Sequence, residues 1–254
     1  MKNLCIAILA SFCSISLFAQ QMFISKGKIE FEKKENIYKT LEMLQEEESE
    51  GDDSWLQSIK KNTPQFSVTY FDLLFDENKS LYKPGRENDN EKMNMQWLQS
   101  PASENIIFTN LANGNHVSQK NIYGSYFLIQ DSARKVQWRI TAETRDIAGF
   151  TCRKAVGKML DSIYVVAFYT DQILPNSGPE SFQGLPGMIL GVAIPRLNTT
   201  WFATKLILAP ITDANVTAPT KGKKQTETDF NNTLQSLMKD WGKWGKRRAL
   251  QAII

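Results

Sequence analysis

The sequence predicts a mainly β fold, a curved antiparallel sheet shaped like a bowl or half-barrel, with peripheral helices. Three observations support this prediction: short apolar segments recur along the chain, turn residues separate them, and few helical stretches lie between them. This spacing favours strands joined by hairpins over strands that alternate with helices. We expect a single domain over residues 20–254.

The strands are expected where apolar residues alternate or run together. The segment 23–32 predicts a first strand, and 66–75 with 80–82 predicts a hairpin around the turn 76–79. Residues 83–104 show little periodicity and predict a long loop. The β pattern dominates from residue 106, with further strands expected at 122–129, 136–140, 150–154, 163–169, 188–194 and 202–208.

Two segments have helical spacing. Apolar residues recur at i, i+4 and i+7 in 37–48, which predicts a short helix. Near the end of the chain, Thr226 and Asp229 resemble a capping box, and an apolar stripe from Phe230 to Trp241 follows. This pattern predicts an amphipathic C-terminal helix. Its basic end, 243–248, is either a partner-binding surface or part of a helix packed on the sheet, and we favour the second.

The N-terminus has the features of a cleavable secretory signal at residues 1–19. Lys2 precedes an uncharged apolar run, 4–18, and the small residue Ala19 follows. A membrane anchor would need about 20 apolar residues. Cys13 follows the bulky Phe12, which argues against lipid attachment. We therefore predict an exported protein, periplasmic, outer-membrane associated or extracellular, and soluble rather than a lipoprotein.

Cysteine and histidine are too scarce for most catalytic or metal sites. Cleavage would leave Cys152 as the one remaining cysteine, so no internal disulfide is expected. A zinc site needs several such ligands, and His116 is the one histidine. A Cys152–His116 dyad is possible in principle. We favour a half-buried strand cysteine and a histidine in a turn, and we expect no catalytic residues, metal or cofactor.

The charge distribution excludes some partner classes. The net charge of +3 falls to +2 when Lys2 is removed, which predicts no strong attraction to nucleic acid or anionic membranes. No later segment is long and apolar enough to span a membrane. The acidic block 42–53 lacks the spacing of a calcium loop and is interpreted as a solvated face. A pair of carboxylates that meets only in the fold remains an alternative, and it would make the protein a hydrolase of peptides or glycans.

The segment 175–187 has an unusual composition. Glycine and proline together account for six of its residues, whereas the whole chain has 14 glycines and 9 prolines. Such a mixture specifies a shaped, irregular loop, because proline fixes φ and glycine opens positive φ. Loops on rigid sheets often carry binding residues. The predicted ligand- or partner-binding residues are Gly178, Pro179, Phe182, Gly184, Leu185, Pro186, Gly187 and Met188. The alternative is a rigid connector that caps one end of the sheet.

The same segment resembles the GLPGLI family, through residues 184–190, which read Gly-Leu-Pro-Gly-Met-Ile-Leu. Met188 replaces a leucine of the family motif. The segment 147–155, with Trp138 and Gly178-Pro179, matches a pattern usually seen with that motif, while Phe168 departs from a Trp-Tyr pair. Together with the strand 27–31, the resemblance covers most of the mature chain.

The resemblance implies an exported protein of diderm bacteria, sometimes associated with TonB-dependent outer-membrane receptors. A related bowl-shaped β module is thought to accompany the catalytic part of some secreted glycan-releasing amidases. No catalytic residues come with the family. We therefore predict a non-enzymatic binding or accessory protein of the envelope, which uses the concave sheet face and the loop 175–190. Its partner would be an envelope protein, such as a TonB-dependent receptor, or a small ligand. A purely structural subunit is a third possibility.

Overall fold

The computed structural model describes residues 23–45, 54–88, 96–132, 135–160 and 162–254. The predicted signal, 1–19, and most of the acidic block lie outside the described residues. No helix in the described part of the chain is long and apolar enough to cross a membrane.

The described residues form a mainly β fold, as predicted, with twelve strands in one sheet. The strands are β1 Gly27–Asn36, β2 Phe66–Phe75, β3 Lys79–Pro84, β4 Ile106–Asn110, β5 Asn115–Ile122, β6 Ser125–Ser132, β7 Gln137–Ile147, β8 Phe150–Met159, β9 Ile163–Thr170, β10 Met188–Ile194, β11 Thr199–Ile207 and β12 Lys223–Gln225. The helices are α1 Ile37–Gln45, α2 Ser54–Asn62, α3 Glu227–Met238 and α4 Gly242–Ile253.

The strand order is β12-β6-β5-β4-β3-β2-β1-β11-β10-β9-β8-β7. Every neighbouring pair is antiparallel except β12 with β6, which is parallel. The sheet is therefore mixed. After β11, near the centre of the sheet, the chain crosses to the edge and adds β12 beside β6. The strand β1 lies near the middle, between β2 and β11.

The expected strand at 122–129 was wrong, and the predicted C-terminal helix is confirmed in two parts. The expected strand 122–129 spans a hairpin turn, in which Tyr123 and Gly124 take positive φ values of 49° and 88°. The side chain of Asn121 accepts the Gly124 N–H and so shapes this turn. The C-terminal helix is two helices, α3 and α4, which the short 3-10 turn Lys239–Trp241 separates. Thr226 does cap α3, since its hydroxyl accepts the Asp229 N–H.

One face of the sheet, which we call the covered face, carries the large side chains of the core. Phe31 on β1 lies opposite Phe71 on β2, whose ring stacks on Tyr82 of β3 at 4.7 Å. All three are buried, together with Trp201 of β11. Alternate residues of β1 point to the covered face, and two of them, Lys33 and Glu35, are charged and buried. This explains why apolar and charged residues are mixed in the sequence of β1.

The sheet bends sharply at its β7 edge. An added Cβ on Gly191 of β10 would lie 3.1 Å from the Cδ1 atom of Ile147 at the end of β7. Two strands, β8 and β9, lie between β10 and β7. In a flat sheet β10 and β7 would be about 14 Å apart, at about 4.8 Å per strand spacing. The register of β7 shifts between Ile140 and Thr144, and such an irregularity increases the local bend.

Candidate ligand-binding site

Most of the predicted binding residues are buried on the covered face. Phe182, Leu185 and Met188 expose 4%, 1% and 0% of their surface. Gly178, Pro179 and Gly187 are buried as well, whereas Gly184 and Pro186 are exposed. The three apolar side chains therefore pack in the core, and the exposed part of the segment is limited to its glycine–proline edge.

The segment 175–187 crosses the covered face and is fixed at both ends. At one end, the Ser177 and Ser80 hydroxyl oxygens lie 2.8 Å apart. At the other, the indole Nε1 of Trp138 on β7 donates to the Gln183 carbonyl at 2.9 Å. The segment therefore connects β3 and β7, two strands that lie far apart in the strand order.

Two glycines explain this close fit. Gly187 has a φ of +129°, and an added Cβ would lie 2.1 Å from the Thr170 carbonyl oxygen. A Cβ on Gly178 would lie 2.8 Å from Ile189. Only glycine permits such an approach of backbone to backbone at Gly187. The glycines thus serve packing in the core.

A buried charged network lies under this segment. The Lys33 Nζ lies 3.2 Å from Glu35 Oε1 and 3.9 Å from Glu180 Oε1, and it donates to the Ala102 carbonyl at 3.3 Å. The Glu180 side chain is fully buried, and Asn105 Nδ2 donates to its other oxygen at 2.9 Å. Buried charges are costly unless they are paired and hydrogen-bonded. This network therefore requires the loops around it to be in place.

Several buried polar atoms cluster beside the network. Tyr82 Oη, Trp201 Nε1, Asn105 Oδ1 and Glu180 Oε1 make no hydrogen bond of ordinary geometry to the described residues, although Trp201 and Glu180 lie near enough to Tyr82 to interact with its phenol. Burial, reinforced by the charge of Glu180, raises the pKa of Tyr82 well above its ordinary value, so the phenol stays protonated. Glu180 also has a φ of +52°, an uncommon conformation for a non-glycine residue. Buried polar atoms of this kind are usually satisfied, and their grouping marks a polar centre.

An open cleft of about 530 Å³ reaches this network from solvent. It lies where β3 ends at Pro84, so that the first half of β2 pairs with β1 on one side and has no strand on the side of β3. Lys33 and Glu35 belong to its lining, whereas Glu180 does not. The other described lining residues are predominantly polar: Ser67, Val68, Thr69, Tyr70, Pro84, Gly85, Arg86, Glu87, Asn88, Gln99, Ser100, Ser103 and Glu104.

The end of the β3 ladder explains why the cleft is polar. Two hydrogen bonds lie where the strand pairing of β2 with β3 ends: the Gly85 N–H donates to the Tyr70 carbonyl, and Asn88 Nδ2 donates to the Val68 carbonyl. The guanidinium of Arg86 stacks 3.3 Å from the Tyr70 ring and pairs with Glu30 on the opposite face. Arg86 is therefore held in place beside the cleft, with its charge paired to Glu30, and the lining also holds the carboxylates of Glu35, Glu87 and Glu104.

The C-terminal helix α4 closes the other side of the network. Gln251 Nε2 donates to Glu35 Oε2 at 3.3 Å. Arg247 donates to the Leu197 carbonyl at 2.6 Å, and Arg248 donates to the Gln99 and Trp97 carbonyls. Burial lowers the pKa of Arg248 to about 10, still basic enough to be charged at neutral pH. Both arginines are buried and hold α4 against neighbouring loops, whereas Leu237 and Trp241, which we expected to pack on the sheet, are 56% and 43% exposed.

Cys152 and His116 do not form a dyad. Their strands, β8 and β5, are separated by seven others in the strand order. Burial, followed by the charge of Asp146, raises the pKa of the Cys152 thiol to about 12, which keeps it protonated. His116 lies on β5, opposite Thr109 and Asp131, and is buried rather than in a turn. Among the described residues, no group of three His, Cys, Asp or Glu side chains could hold a metal ion.

Sequence reasoning missed the charged network. Glu180 is far from Lys33 and Glu35 in the sequence, and each of the two segments has other residues that explain its local pattern. One signal was present: Lys33 and Glu35 share the odd-numbered face of β1 with Ile29 and Phe31. Charges in register with buried apolar residues indicate a buried polar site when the strand is central.

The comparisons with known proteins show the fold. A family model described as "Protein of unknown function (Porph_ging)" matches residues 157–191, a stretch that includes the 184–190 motif. No curated protein matches the sequence.

Two solved structures, of PNGF-II in the P21 and C2 space groups, each have a TM-score of 0.51 at 13% identity. They cover 82% of this chain, which spans 33% and 32% of theirs, about a third of the PNGF-II length. An uncharacterized conserved protein from Thermus thermophilus has a TM-score of 0.40 at 5% identity, over 80% of this chain and 90% of its own. The chain thus shares a fold with part of PNGF-II and matches a family of unknown function over 35 residues.

Proposed function

We propose that this chain is a non-enzymatic binding protein of the bacterial envelope that holds a polar ligand in the cleft beside β2. The observation that carries this proposal is the buried Lys33–Glu35 pair at the inner end of an open polar cleft. A ligand that enters the cleft meets fixed charges, and fixed charges provide orientation at low entropic cost. Neutral amide and hydroxyl groups around them favour a hydroxyl- or amide-rich ligand, such as a glycan or peptide fragment.

The arrangement favours binding over catalysis. Lys33 and Gln251 both hold the Glu35 carboxylate, and Asn105 and Lys33 hold Glu180. A general acid or base must reach the substrate, and the Glu180 side chain has no exposed surface. The segment 175–187 supports this network from behind, so its role in binding would be to position Glu180.

A carboxylate hydrolase is the second candidate. It is favoured by one observation: Glu35 and Glu180 flank a single ammonium group on the covered face, the kind of carboxylate pair that glycan hydrolysis uses. This reaction would require a rearrangement that opens Glu180 to the cleft.

The envelope location rests on the predicted signal at 1–19 and on the resemblance to the GLPGLI family. That resemblance also supports association with a TonB-dependent receptor. In this proposal, the exposed edge at Gly184 and Pro186 is the surface left for such a partner, since the apolar side chains of the segment are buried.

The test is native mass spectrometry of the purified protein with soluble glycan and peptide fragments from digested cell walls. We expect a fragment bound to the wild type and recovered intact. Ser103→Trp should fill the cleft and remove the bound species. Ser125→Trp, at an exposed position in the β5–β6 hairpin, is the matched control and should bind normally.

The outcomes separate the candidates. Absence of any bound fragment, or equal binding by Ser103→Trp, contradicts the cleft proposal. Cleaved fragments that depend on Glu35, so that Glu35→Gln leaves them intact, would instead support the hydrolase.

A further inference from the structure

A second concavity, which we call the helix groove, lies between the C-terminal helices and the β8–β9 hairpin. Its volume is about 600 Å³, within the range of small-molecule sites. It shares no lining residue with the polar cleft. Its described lining consists of Leu160, Ser162, Ile163, Arg196, Gln235, Met238, Lys239, Gly245, Lys246, Ala249, Leu250 and Ile253.

The floor of the helix groove is apolar. Ile163, Met238 and Ala249 are nearly buried, and Leu250 and Ile253 are half-buried beside them. Gly245 makes the floor possible, because an added Cβ there would lie 2.2 Å from the Met238 carbonyl oxygen. The glycine therefore lets α4 approach the end of α3 closely.

Leu160 presents an apolar side chain at the edge of this floor. It lies in the tight turn after β8, with a φ of 47° and 41% of its surface exposed. A left-handed conformation is uncommon for a bulky residue, and turns usually place asparagine or glycine there. Neither packing in the core nor turn chemistry accounts for a leucine at this position.

The rim of the groove carries three cations. Arg196, Lys239 and Lys246 are exposed, and within the described chain no ion pair engages any of them. Arg196 donates to the Ser162 hydroxyl at 3.3 Å, which holds its guanidinium over the groove. No acidic residue contributes to the described lining. The charge of the rim thus complements an anion, while the floor complements a hydrocarbon chain.

We propose that the helix groove binds a free long-chain fatty acid. The acyl chain would lie on the floor between Leu160, Leu250 and Ile253, and the carboxylate would meet the cationic rim. A concavity of this volume suits one acyl chain, and the cations select an acid over a neutral or cationic amphiphile.

The test is a calorimetric titration of the purified protein with dodecanoate below its micelle concentration. We expect saturable binding of one dodecanoate and little binding of dodecyltrimethylammonium. The double variant Lys239→Gln/Lys246→Gln should raise the Kd by about tenfold, because charge-assisted bonds to the carboxylate are lost. Lys223→Gln/Lys224→Gln removes two exposed lysines from β12 and should leave the Kd unchanged.

A variant at the turn tests the hydrocarbon contact separately. Leu160→Asn suits the positive φ, so it should fold normally and still raise the Kd several-fold. The proposal is overturned if wild-type protein shows no saturable binding, or if dodecyltrimethylammonium binds as well as dodecanoate. Binding to phosphatidylglycerol vesicles without binding of monomeric dodecanoate would also overturn it and indicate a membrane surface.

Discussion

Two segments cover the same face of the sheet, and they are held by opposite means. The segment 175–187 is fixed by its backbone and by glycines that allow contact within a few ångströms. The helix α4 is fixed by long side chains, mainly Arg247 and Arg248, which reach carbonyl groups of neighbouring loops. In the sequence both look like surface features, one because of glycine and proline and the other because of charge.

This difference shows that neither a high glycine and proline content nor a basic segment is enough to predict that a segment is exposed. Glycine and proline describe the path of a backbone and leave its surroundings open. Arginine is usually exposed, but its five donors can satisfy several carbonyl groups at once and so stabilise a buried helix. The network of Lys33, Glu35 and Glu180 lies where the segment 175–187 and the helix α4 meet.

The largest effect is expected from a bulky residue at Gly187. Gly187→Val would place a Cβ against the Thr170 carbonyl and strain a φ of +129°, so we expect a loss of more than about 4 kcal/mol in the free energy of unfolding. Gly184→Ala is the comparison, because its φ of +96° is strained as well but its Cβ would meet only Trp138 at 3.5 Å, so the loss should be smaller, about 2 kcal/mol. Urea denaturation measures both. Equal losses would contradict the tight fit at Gly187.

A smaller loss is expected when α4 loses its buried guanidinium. Arg248→Met leaves the Gln99 and Trp97 carbonyls without their donor, which should cost about 3 kcal/mol. Lys246→Met, on the exposed side of α4, should change the stability by less than about 0.5 kcal/mol. If the two variants unfold at the same urea concentration, the arginine does not hold the helix.

A single anchor of the segment 175–187 should contribute less again. Trp138→Phe removes the indole donor to the Gln183 carbonyl, and we expect a loss of about 1 kcal/mol. Amide hydrogen exchange within 176–187 should become faster, while exchange in α4 stays unchanged. Faster exchange in both the segment 175–187 and α4 would mean that they open together.

The smallest effect concerns the face that neither segment covers. Burial opposes ionisation of Glu30, but hydrogen bonds from Thr204 and Lys205 and the charges of Lys205 and Arg86 outweigh it, so its pKa is lowered from 4.5. Because this pKa is lower in the folded than in the unfolded protein, the ionised carboxylate stabilises the folded state above a pH of about 4.5. This contribution is lost as the pH falls through the folded pKa. Denaturation at pH 7 and pH 4 should therefore show a smaller pH dependence in Glu30→Gln. An unchanged dependence would remove Glu30 as a cause.

Much of the strand and helix pattern could be predicted. The alternation in 66–75 and the run in 163–169 identified β2 and β9, and Thr226 marked the start of α3. Failures occurred where a turn lacks strong local signals: Tyr123-Gly124 divided an apparent strand. Helix α2 and the short edge strand β12 were not predicted, since a nine-residue helix and a three-residue parallel pairing both depend on their neighbours.

The sequence by itself determined the mainly β fold, the helix cap at Thr226 and the scarcity of cysteine and histidine, because these follow from periodicity, local hydrogen bonding and composition. Only the tertiary structure decided which polar residues are buried. Lys33, Glu35 and Glu180 meet through strand register and the path of segment 175–187, and no local pattern encodes that meeting. The same holds for the helix groove, whose apolar floor and cationic rim come from four separate parts of the chain.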